Sequence, residues 1–117
     1  MENWLKLLPR DTTFDTTFYT LNYYRHVPRN FNEIESIFFY APNLKCVSDE
    51  IFEPLQSLKT IWFSNRCAMV SLSSNLPKLC PLLTSINVSF NQLQTIPRGF
   101  STDLAVWIGG NPLVLNL

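Results

Sequence analysis

The sequence predicts an α/β solenoid, a curved right-handed coil of about five stacked units in which each unit gives one short strand to a parallel sheet. Three observations predict it. An apolar triplet at the first, fourth and sixth positions of a unit recurs along the chain, an asparagine follows the best-formed triplets where the backbone has to turn, and prolines recur often enough to exclude long helices over most of the chain.

The clearest unit reads Leu83-Thr84-Ser85-Ile86-Asn87-Val88-Ser89-Phe90-Asn91-Gln92-Leu93 and continues through Ile96-Pro97 to Phe100. It satisfies the pattern L-x-x-L-x-L-x-x-N-x-L at every framework position. In the following unit Val106, Ile108, Asn111 and Leu113 stand where Ile86, Val88, Asn91 and Leu93 stood, with Asp103 in place of the first leucine. Upstream, Leu58, Ile61 and Phe63, and before them Ile34, Ile37 and Phe39, keep the triplet. Arg66 and Pro42 occupy the asparagine position of these two units, with Asn65 and Asn43 one residue away, so their turns are expected to be altered or slipped by a residue. A degenerate first unit has Phe14, Thr17 and Tyr19 for its triplet, while Asn22, Tyr24, Val27, Pro28, Arg29 and Phe31 echo Asn91, Leu93, Ile96, Pro97, Arg98 and Phe100. The predicted organisation is residues 1–13 as a cover for the open sheet edge, through Trp4, Leu5, Leu7 and Leu8, and residues 14–117 as one domain with units starting near 14, 34, 58, 83 and 103.

Each element follows from its residues. Alternation between the fourth and sixth positions is the period of a strand, and a unit this short buries its apolar face only by stacking on a neighbour. Asn22, Asn91 and Asn111 are the expected structural turn residues, their amides bonding backbone groups that the turn would leave unpaired. Prolines at 28, 42, 54, 77, 81, 97 and 112 fix φ and remove donors from the return segments, which are therefore expected to be irregular or 3₁₀.

Units of about 20–25 residues with these motifs resemble the leucine-rich-repeat superfamily. The resemblance spans roughly residues 14–117, and the Asn91 to Phe100 half, Asn-x-Leu-x-x-Ile-Pro-x-x-x-Phe, is similar to repeats of secreted and cell-surface members, insect ones most of all. It implies a protein-binding recognition module of the extracellular receptor or immune-recognition kind. The cysteine-rich caps common in that group have no counterpart at either end of the sequence, and the motif Gly109-Gly110-Asn111-Pro112-Leu113, similar to the start of a C-terminal cap, is followed by only Val114 to Leu117. An intracellular scaffold, with a cytoplasmic location, and a fragment of a longer solenoid are the alternatives.

Composition narrows the function classes. Hydrophobic residues make up 46% and charged residues 15% of a chain with formal net charge zero. A folded domain is expected, and no basic field is available for nucleic acid. No run of about 18 apolar residues is present, so membrane insertion is not expected. Met1 to Arg10, with Glu2 and Lys6 inside it, is not expected to serve as a secretion signal. Cys46, Cys67 and Cys80 allow one disulfide at most, and each pairing as well as the fully reduced state stays open. His26 is the single histidine, expected on a solvated return segment, and no catalytic triad, phosphate loop or metal-ligand spacing accompanies it. No enzymatic activity and no cofactor are therefore expected.

Function is expected on the concave sheet face, which the inward core positions leave free. The fifth position of the units reads Phe18, Phe38, Trp62, Asn87, Trp107, and the seventh reads Thr20, Tyr40, Ser64, Ser89, Gly109. The expected binding residues are Phe38, Tyr40, Trp62, Ser64, Asn87, Phe90 and Trp107, engaging another protein or, through the same stripe, a second copy of the chain. Aromatic residues also favour strands and stack on cross-strand neighbours without any partner. Asn87-Val88-Ser89 is in addition an N-glycosylation sequon that would place a glycan on that face.

Overall fold

A computed structural model describes residues 2–9, 12–15 and 29–114. It is an α/β fold with a five-stranded sheet in sequential order: β1 Thr12–Asp15, β2 Ser36–Phe39, β3 Thr60–Phe63, β4 Ser85–Asn87 and β5 Ala105–Trp107. Strands β2 to β5 are parallel. Between them the chain returns through irregular backbone and helices of a single turn, α2 Asp49–Phe52 and α3 Leu76–Leu79, with α1 Glu2–Leu5 near the start. Pro77 opens α3, where its missing N–H costs nothing. Ser48 caps α2 by accepting the Glu50 N–H at 3.3 Å.

The parallel register is the one that the apolar triplets dictate. Ile37, Ile61, Ile86 and Val106 are mutual partners across the four strands, and Phe39 pairs with Phe63. A slip of one residue would turn each strand's apolar set to the solvent, which is why the register is firm. Backbone hydrogen bonds recur with it. Ile34, Leu58, Leu83 and Leu104 each donate to the carbonyl three residues back, at 3.0–3.3 Å. The Glu35 carbonyl accepts from Lys59 and Thr60, and the Lys59 carbonyl accepts from Thr84 and Ser85 in the same way.

One core runs behind the sheet. Ile34, Ile37, Phe39, Leu58, Ile61, Phe63, Ile86, Val88 and Leu93 enter it from the strand side, while Ile51, Phe52, Leu55, Leu76 and Cys80 enter from the return side. The rings of Phe39 and Phe63 stack at 5.0 Å between centroids, and Phe52 meets Phe39 edge-on at 6.3 Å.

Side-chain amides close the turns. Asn91 is buried; its Oδ1 accepts the Met69 N–H at 3.0 Å, and its Nδ2 donates to the carbonyls of Val88 and Ser89 at 3.2 and 3.1 Å and to that of Ser64 at 3.4 Å. Asn111 repeats the arrangement with Leu93 N–H as donor and the carbonyls of Val88 and Ile108 as acceptors. One turn earlier the corresponding place belongs to Cys67 and not to Arg66, which is exposed. The Cys67 thiol donates to the Phe39 carbonyl at 3.3 Å. The turn is slipped by one residue, but toward Cys67 and not toward Asn65, which is exposed, and the slip brings in a residue with a hydrogen to donate.

Several expectations are corrected. Leu104, buried, takes the inward place assigned to Asp103, which is exposed. The sheet is not parallel throughout, because β1 runs antiparallel to β2 and pairs Phe14 with Ile37. The edge of β2 is covered by β1, whereas Trp4 enters the core, donates its Nε1–H to the Ile51 carbonyl at 2.9 Å and packs edge-on against Phe31. Leu7 stays exposed. Thr17, Phe18, Tyr19, Thr20, Asn22, Tyr24, His26, Val27 and Pro28, which carried most of the expected first unit, lie outside the described residues.

All three cysteines are free, Cys46 exposed and Cys67 and Cys80 buried. Burial raises the Cys67 thiol above its ordinary value, partly offset by the hydrogen bond to Ser64, and pushes Cys80 up to about 12. Both stay protonated in the fold when the unfolded chain ionises, so the unfolded state gains above pH ~9 and stability falls from there toward about 12. Urea midpoints are expected to decline over that interval, and the decline is expected to be shallower in Cys80→Ala. Replacing Asn91 with alanine leaves the Met69 amide and the turn carbonyls without their partner, and a loss of about 3 kcal/mol is expected in urea denaturation.

Candidate binding face

Alternation along the strands separates two faces. Ile37, Phe39, Ile61, Phe63 and Ile86 point into the core, so Ser36, Phe38, Thr60, Trp62, Ser85, Asn87, Ala105 and Trp107 point away from it. None of these eight outward residues is charged. Phe38, Trp62, Asn87 and Trp107 form one row, each the register partner of the next. Trp62 is 42% exposed and Trp107 58%, two strand spacings apart, about 10 Å.

An open cleft of about 460 Å³ lies at the C-terminal ends of β3 and β4, lined by Tyr40, Trp62, Phe63, Ser64, Asn65, Asn87, Ser89 and Phe90. Asn87 is half-buried, and its Oδ1 accepts the Ser89 N–H at 3.0 Å, which fixes the side chain in the row. Five of the seven expected binding residues, Tyr40, Trp62, Asn87, Phe90 and Trp107, present surface on this side.

The other two do not. Phe38 is only 8% exposed, and the Trp62 ring lies 6.0 Å from its own at 45°. Ser64 is 7% exposed and belongs to the turn: its Oγ accepts the Arg66 N–H, its N–H donates to Phe39, and its carbonyl accepts from Cys67. Asn65 and Ser89 line the cleft without having been among the expected residues. Both follow a strand by two residues, a spacing that carries no chemical signature.

Phe90 was placed on the face by its position, but its backbone could not be read from the sequence. Its φ is +58°, a left-handed conformation that is an outlier for a bulky residue, and its ring is 66% exposed. Two contacts hold it there. The Phe90 N–H donates to the Gly109 carbonyl at 2.7 Å, and the ring lies over Gly110, where a Cβ would collide with the ring carbons Cδ1, Cε1 and Cγ. Gly110 itself has φ +76°. The next turn therefore needs a glycine to seat an exposed aromatic side chain on strained backbone, a combination that core packing does not require.

Among the described residues no group of three His, Cys, Asp or Glu is placed to hold a metal ion. A smaller crevice of about 250 Å³, lined by Pro77, Cys80, Pro81, Leu83, Ser101, Asp103 and Leu104, lies at the end of α3. Its thiol is held protonated by burial.

Strain at Phe90 can be measured. Phe90→Asn, which tolerates the left-handed region, is expected to raise stability by about 1 kcal/mol despite removing a large side chain, whereas Gly110→Ala is expected to lower it by about 2 kcal/mol or more. Thermal and urea unfolding of the two variants check both signs.

No family model, curated protein or solved structure matches this chain.

Proposed function

We propose that the chain is a short leucine-rich-repeat solenoid that binds another protein through the outward face of its sheet, as a recognition module of the extracellular or cell-surface kind. The observation that carries this reading is the row Trp62-Asn87-Trp107, in which two half-exposed indoles flank a fixed amide, with the strained Phe90 beside it. Large apolar groups gathered in one stripe exceed what monomers usually leave in water, and tryptophan and tyrosine dominate the energetics of protein interfaces. The repeat assignment is supported by the paired amide networks of Asn91 and Asn111 and by Cys67 in the equivalent place, where the repeat pattern admits asparagine or cysteine.

Binding is assigned to the face and turnover to no part of the molecule. The cleft at Tyr40, Trp62 and Phe90 is large enough to take one side chain of the partner, and the amides of Asn65 and Asn87 and the Ser89 hydroxyl offer it polar contacts. An intracellular scaffold is the second reading, favoured by the exposed free thiol of Cys46 and the two buried ones.

Trp62→Ala combined with Trp107→Ala is expected to weaken capture of the partner by the immobilised chain at least tenfold, each truncation costing about 2 kcal/mol. Both side chains leave the sheet on the side away from the core, so the far-UV spectrum is expected to stay that of the parent, while the melting temperature falls by a few degrees because Trp62 packs beside Phe38. Undiminished capture by the folded double variant would rule the face out.

A further inference from the structure

The row that carries the proposed function reads the same in both directions. Trp62 and Trp107 stand one strand to either side of Asn87, in the same register, about 5 Å from it at the backbone. A two-fold axis lying between two facing sheets, parallel to the strands and passing over Asn87, would set the Trp62 position of one copy opposite the Trp107 position of the other. Symmetric dimers are built from such self-complementary patches, in which each contact occurs twice.

Charge permits it as well. From Ser36 to Trp107 no outward residue of β2 to β5 is charged, and the chain's formal net charge is zero. Two copies brought face to face therefore meet neither like-charge repulsion nor buried unpaired charge. A charged partner segment would lose hydration on this face and find no counter-ion there.

Resting on the reading of this face as a protein-binding surface, we propose that its partner is a second copy of the chain, joined by an isologous contact centred on Asn87. In the dimer Trp62 of each copy packs against Trp107 of the other, in the offset or edge-on geometry that aromatic pairs prefer. The two Asn87 amides meet at the axis, where each side chain can both donate and accept. The sheet is only four parallel strands wide and three or four residues deep, which limits the buried area to the range of weak, reversible association. A micromolar dimer is expected.

Sedimentation velocity from low micromolar to near-millimolar concentration tests this. The parent chain is expected to pass from monomer to dimer and no further. Asn87→Asp keeps the acceptor for Ser89 and sets two carboxylates against each other at the axis, and Asn87→Lys sets two ammonium groups there. Each variant alone is expected to stay monomeric, and their equimolar mixture to restore a one-to-one dimer. Circular dichroism of each variant establishes that it folds; should Asn87→Lys not fold, Asn87→Cys in a Cys46→Ser background replaces it and is expected to form an intermolecular disulfide with oxidised glutathione. A parent chain that stays monomeric throughout, higher oligomers, single variants that still dimerise, a mixture that stays monomeric or an Asn87→Cys variant that does not cross-link would overturn the proposal. Monomeric behaviour would leave the capture experiment with Trp62→Ala and Trp107→Ala free to identify a different protein, so the two readings fail separately.

Discussion

The side-chain amides of Asn91 and Asn111 are the interaction on which the rest of the structure depends. A parallel sheet of three- and four-residue strands needs a sharp turn after every strand, and each turn buries backbone groups that no strand neighbour can satisfy. Asn91 meets four such groups at once, drawn from its own turn and from the chain segments around Ser64 and Met69. It thereby ties two successive turns together, and Asn111 ties the next pair. Cys67 supplies a weaker version of the same link with a single donor.

Tying the turns fixes how the strands stack, and stacking separates the two faces. Behind the sheet, the aromatic pair Phe39 and Phe63 and the return-side residues Ile51, Phe52 and Leu55 fill the core. In front of it, nothing in that core requires tryptophan at 62 or 107. The same turns place Phe90 in a left-handed conformation over Gly110, so the machinery that holds the fold also sets one of the exposed rings. Fold and candidate site are thus joined at the turns more than along the strands.

Much of this was legible in the sequence, for a physical reason. Inward positions are under a strict apolar requirement, so the triplets Leu58-Ile61-Phe63 and Leu83-Ile86-Val88 give the register directly. Asparagine was legible at 91 and 111 because few side chains both donate and accept in so small a space. The misses share another origin. Cys67 and Leu104 are each displaced by one residue from the regular spacing, and a strand-period argument cannot see an insertion in a turn. β1 is antiparallel, and its pairing with β2 depends on contacts distant in the chain rather than on local pattern. Exposure on the outward face was the least legible property: Phe38 and Trp62 have the same sequence context and both sit on strands paired on each side, yet one is covered and the other is not.

The claim that the outward row is the binding surface is tested most directly by the three indole N–H resonances of the ¹⁵N-labelled chain. Trp4 is buried and bonded to Ile51, which makes it an internal control. On addition of the captured partner, or on raising the concentration of the chain if the occupant is a second copy, the Trp62 and Trp107 indoles are expected to shift while that of Trp4 stays in place. Binding that leaves both outward indoles unmoved would contradict the account.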